Sequence, residues 1–148
     1  MSFQHLLFVI DDDQISSVAI QHVTTLALTF NSRVTLMSVI SIDPFFAIEF
    51  YKIAPSFTQY LLKTEAKVLA QLTILKHQML QQGITDIQTK VIHDIPVAIG
   101  VLTIADEINA DLIIVAAHNR NSLKKILAGS TPRAVLDISP LPVMVIND

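Results

Sequence analysis

HLLFVIDDD, residues His5 to Asp13, decides how the rest of the chain is read. His5 to Ile10 is a short, continuous apolar run. A strand in the middle of a parallel sheet is covered on both faces, so it reads as such a run and not as an alternation. The run stops at Asp11-Asp12-Asp13, where a carboxylate can accept the free N–H groups that open a helix. Helical spacing follows at once, with Ile15, Ala19, Val23, Leu26, Ala27 and Phe30 on one face, until Asn31-Ser32 ends it. A buried strand feeding an amphipathic helix is the first half of a βαβ unit.

The same alternation continues outward. RVTLMSVI (Arg33 to Ile40) reads as a second strand. SIDPFFAIEFYKIAP, bracketed by Pro44 and Pro55, is rich in aromatic residues and keeps neither a helical nor a strand period. Leu61, Val68, Leu72, Leu75 and Met79 then form the stripe of a long helix that ends at Gly83. Ile87, Thr89 and Val91 alternate with Gln88 and Lys90, the pattern of an edge strand with one wet face. Pro96 opens the next helix, where its missing N–H costs nothing, and Val97, Val101, Ile104 and Ile108 give its stripe. Asp111 to Ala116 is a fourth strand, a helix is expected around Thr131 to Ile138, and Val143 to Ile146 closes the chain as a fifth strand. Strands alternating with helices imply a mostly parallel sheet with helices on both faces, an α/β fold. No repeat or domain boundary stands out, so 1–148 is expected to be a single domain.

Composition narrows the function classes. The chain is 51% hydrophobic and only 16% charged, yet its apolar runs fall far short of the ~18 residues a membrane span needs. The start of the chain lacks a basic leader with a cleavage site, so a cytoplasmic protein is expected. With no cysteine there is neither a disulfide framework nor thiolate chemistry. A net charge of −3 gives no reason to expect nucleic acid as a partner.

Ligands of open parallel sheets settle beyond the carboxyl ends of the strands, where the winding order reverses. Three polar stretches occupy such ends: Asp11-Asp12-Asp13, His93-Asp94 and Ala117-His118-Asn119. Asp12 and Asp13 read as solvated or capping residues, whereas Asp11 directly ends a buried strand and is a ligand candidate as much as a structural one. Gly129-Ser130-Thr131 precedes Pro132 and can open a helix whose free N–H groups attract phosphate. Arg120, Lys124, Lys125 and Arg133 flank it, but an ordinary capped helix explains the same residues. No Walker-type lysine motif or G-x-G-x-x-G is present, and His118 has no partner nucleophile in a recognisable motif.

LLFVIDDD, the proline after HDI, the run ADLIIVAAHNR, the spacing to LAGST and the closing PLPVMVIND together resemble a single-domain bacterial universal stress protein. The resemblance covers essentially the whole chain. It implies a five-stranded parallel sheet in the order 3-2-1-4-5, like that of adenine nucleotide alpha hydrolases, a homodimer, and often ATP or AMP at the carboxyl edge; Mg²⁺ is an optional companion, for which the adjacent aspartates are a weak site. Nucleotide-binding members share Gly-x-x-Gly-(nine residues)-Gly-Ser/Thr after the fourth strand. Here the first two glycines are Ala116 and Asn119, the spacing from Arg120 to Ala128 is intact, and Gly129-Ser130 matches. Alanine adds one methyl group, and asparagine tolerates the left-handed region that glycine occupies.

By the same resemblance the nucleotide-binding residues are Val9, Ile10, Asp11, Val39, Val115, Ala116, His118, Asn119, Arg120, Gly129, Ser130 and Thr131. Asp11 would hold the adenosine, Val39 would touch the base, and Ser130 and Thr131 would meet the phosphates. Asp94 stands where the resemblance expects a glycine, and a negative charge there would weaken anion binding if it faced the rim. With that strand order Val143, Met144, Val145 and Ile146 form an apolar sheet edge, which invites pairing with a second copy. Three functional readings follow: a nucleotide-binding sensor or switch that is not mainly a catalyst, a dimeric interaction module that has lost the nucleotide, and a slow ATPase using Asp11 or His118.

Overall fold

Strands and helices alternate along the described residues, which in this computed structural model are 3–10, 17–40, 54–93, 96–117 and 131–147. In chain order they are β1 (His5–Val9), α1 (Ser17–Phe30), β2 (Arg33–Ile40), α2 (Ala54–Gln81), β3 (Ile87–His93), α3 (Val97–Glu107), β4 (Leu112–Ala117), α4 (Thr131–Ile138) and β5 (Val143–Asn147). The five strands form one sheet in the order β3-β2-β1-β4-β5, and every pairing is parallel. This is the order that the family resemblance implied. The aromatic segment from Phe45 to Tyr51 lies outside the described residues.

The continuous apolar runs are explained by two cores, one on each face of the sheet. Leu6, Phe8, Val34, Leu36, Leu112 and Ile114 pack under Ala19, Val23 and Ala27 of α1 and Leu72, Leu75 and Met79 of α2. Their neighbours in sequence, Leu7, Val9, Met37, Ile113 and Val115, point the other way, against Val101, Ile104 and Ala105 of α3 and Val135 of α4. Successive side chains alternate across a strand, so a strand buried on both sides is apolar at nearly every position, and the two buried polar residues of β2, Thr35 and Ser38, are hydrogen-bonded. β3 is an edge and keeps its alternation, with Ile87 buried and Gln88 and Lys90 exposed.

Helix ends follow the residues that can turn left-handed. Asn31 (φ 51°), Gly83 (φ 108°) and Asn109 (φ 56°) follow α1, α2 and α3. Around Asn109 the N–H groups of Asn109 and Ala110 donate to the carbonyls of Asp106 and Ala105, at 3.2 and 2.9 Å, which closes α3 in the usual left-handed C-terminal manner. Pro96 stands one residue earlier than expected, as the N-cap of α3 and not its first residue.

The amino edge of the sheet holds a compact polar staple. Asp111, expected to begin the fourth strand, instead precedes it, and its carboxylate accepts N–H bonds from Gln4 (2.7 Å) and His5 (3.0 Å). Its own N–H donates to the His5 carbonyl at 3.0 Å. The His5 ring pairs with the buried Thr35 hydroxyl through Nε2 at 2.7 Å. Burial lowers the His5 pKa from its ordinary value, helped by the Arg33 charge and opposed by a bond to the Ile108 carbonyl and by Asp111 and Asp86.

Candidate functional site

β1 lies between β2 and β4, so the chain winds to one side of it through β2 and β3 and to the other through β4 and β5. The reversal therefore falls at the carboxyl ends of β1 and β4, the place where such sheets take ligands. Register brings Val9 opposite both Met37 and Val115 there, while Ala116 pairs with Ile146 and Val39 with Ile92.

Of the expected site residues, Val9, Ile10, Val39, Val115 and Ala116 thus sit at this edge, but on two faces. Val9, Val39 and Val115 belong to the α3 and α4 side, whereas Ile10 and Ala116 pack toward α1 and α2. Val9 and Val115 are fully buried, so their side chains serve as a floor and only their backbone is available to a ligand. Val39 is half-buried. Thr131 opens α4, as the sequence indicated. Asp11, His118, Asn119, Arg120, Gly129 and Ser130 lie outside the described residues, as does Asp94.

Two residues that the sequence reading did not single out shape this edge. Ser38, buried in β2, donates its hydroxyl to the Ile10 carbonyl at 2.6 Å, while the Ile10 N–H donates to Met37 at 2.8 Å. Both backbone groups of Ile10 are therefore held by β2, and the chain is pinned up to the residue before Asp11. Gly100, buried in α3, faces Ile92 and Val39. Each carried a signal in the sequence: Ser38 is a polar residue inside LMSVI, and Gly100 is one of only three glycines and falls mid-helix, where glycine costs about 1 kcal/mol relative to alanine.

Chemically, this edge offers an apolar surface of half-buried Val39, Ile92 and Val97 beside strand-end backbone. At the end of β3, His93 Nε2 stands 3.9 Å from Glu65 Oε2 on α2. Among the described residues no cluster of His, Asp or Glu is placed to hold a metal ion. A cavity of about 260 Å³, lined by Leu102, Ala105, Asp106, Asn109 and Leu141, opens at the opposite, amino edge, and none of Val9, Ile10, Val39, Val115 and Ala116 lines it. Among the described residues no helix is long and apolar enough to cross a membrane.

The universal stress protein family model matches residues 2–147. The chain belongs to the universal stress protein family. A protein of Staphylococcus aureus strain USA300, described as a universal stress protein, is 22% identical over 147 residues, 99% of this chain and 86% of the relative. Among solved structures, a universal stress protein in complex with cAMP superposes with a TM-score of 0.73 at 20% identity, covering 99% of this chain and 98% of that one. The universal stress protein of Archaeoglobus fulgidus in complex with dAMP gives 0.61 at 15% identity, covering 99% of each chain. These likenesses establish the fold of this universal stress protein.

Proposed function

We propose that this universal stress protein binds an adenine nucleotide, ATP or AMP, at the carboxyl ends of β1 and β4 and works as a nucleotide-dependent sensor or switch. The observation that carries the reading is the switch point itself, in a fold shared with structures in complex with cAMP and dAMP. The surrounding residues fit such a ligand. Half-buried Val39, Ile92 and Val97 offer a flat base an apolar seat, and α4 begins at Thr131, a helix N-terminus of the kind that attracts phosphate. Asp11, His118, Asn119, Arg120, Gly129 and Ser130 complete the set by family resemblance. The described residues supply no carboxylate cluster for Mg²⁺, so no step is assigned to that ion.

The protein is proposed to act in the cytoplasm as one domain over residues 1–148, and as a homodimer. β5 is an outer strand, and Val143, Met144 and Val145 on it remain half-buried, a partly exposed apolar edge of the kind that pairs with a second chain, whereas Ile146, expected on the same edge, is buried in the core under α1 and α2. A ligand that binds only the folded state raises the melting temperature. Thermal denaturation with millimolar ATP or AMP is expected to shift upward, and Gly129→Val should remove the shift. No shift with either nucleotide would favour a dimeric interaction module of the same fold, and phosphate release lost on changing Asp11 would favour an ATPase.

A further inference from the structure

We propose that Gly100 fits the base end of the nucleotide site by letting α3 approach the carboxyl ends of β2 and β3 without a side chain between them. The proposal rests on the nucleotide reading above, with Val39 at the base. Gly100 is buried and has no positive φ to require a glycine; what it saves is space. A Cβ built on it would lie 2.7 Å from Cδ1 of Ile92 and 3.4 and 3.6 Å from the two methyl groups of Val39. Carbon atoms pack at about 3.5–4.0 Å, so the Ile92 methyl would have to move and Val39 would be pressed as well.

Both residues are half-buried, and they are opposite each other in the β2–β3 register. Their free movement is outward, into the surface assigned to the base, because inward lies the packed core of Met37, Val101 and Ile104. Mid-helix glycine is costly for stability, and at this position that cost is offset by an open seat between the strand ends and α3. Gly100 is thus a positioning residue that acts through Ile92 and Val39. The site it fits is one for a flat, apolar-faced base.

The test uses the full chain and titrates AMP by calorimetry into wild type, G100A and the double variant G100A/I92V, which lacks the crowding Cδ1. Alanine is expected to leave the fold intact, read from far-UV circular dichroism and the ligand-free melting temperature. It should weaken AMP binding about tenfold, the scale of a one-carbon misfit in a pocket. The double variant should recover most of that loss, which a general loosening of α3 would not allow. Unchanged AMP affinity in G100A, or a loss that I92V does not repair, would overturn the role of Gly100 while leaving the nucleotide reading in place. Wild type that takes up no AMP would overturn the nucleotide reading itself, and this inference with it.

Discussion

Thr24 lies on the buried side of α1 between Val23 and the stripe that continues at Ala27, and its hydroxyl is buried without a hydrogen-bond partner among the described residues. An unpaired polar group in such a place costs roughly 1–3 kcal/mol, and valine has nearly the same shape. Thr24→Val should therefore raise stability by about 1 kcal/mol, seen as a higher urea midpoint at unchanged slope. His5 makes a second prediction at this scale. Its folded pKa lies below the ordinary value, so between the two values the unfolded chain binds more protons. Stability is then complete above about pH 6.5 and falls as the pH drops toward the folded value. Urea midpoints measured across that range should show this loss in wild type, and the loss should shrink in His5→Gln. Neither residue was legible in the sequence as more than a helix-face threonine and a sheet-end histidine, because burial and partners come from other elements.

At the scale of elements, the five strands and four helices of the described residues were legible, since each rests on a local pattern. Doubly buried strands are apolar at nearly every position, the edge strand β3 alternates, and asparagine or glycine marks the ends of α1, α2 and α3. What local pattern could not supply was the task of polar residues set by long-range partners. Asp111 looked like the first residue of β4, but its carboxylate reaches across 107 positions to the Gln4 N–H and ties the start of β1 to β4. Asp111→Ala should leave the part-buried His5 N–H without its acceptor, while water replaces it at the exposed Gln4 N–H, and cost about 1 kcal/mol; Asp111→Asn, which keeps one acceptor oxygen, should cost less in the same denaturation assay. Ser38 belongs to the same class. Its partner, the Ile10 carbonyl, lies 28 positions away.

For the molecule as a whole, the strand order was legible only through the family resemblance, since periodicity says nothing about which strands are neighbours. That order places β5 on an outer edge and leads to a prediction about assembly. Val145→Lys, a charge on a half-buried edge position, should convert a dimer to a monomer in sedimentation equilibrium, with the fold retained by circular dichroism. The order also brings Val9 and Val115 together at the reversal of winding, whereas the described cavity lies at the other edge. Amide hydrogen exchange with and without saturating AMP separates the two edges directly. Slower exchange at Ile10, Val39 to Ile40 and Ala116, with no change at the amino edge, is the expected result. Unchanged exchange, or protection confined to Asn109, Ala110 and Leu141, would contradict a nucleotide at the carboxyl ends of β1 and β4.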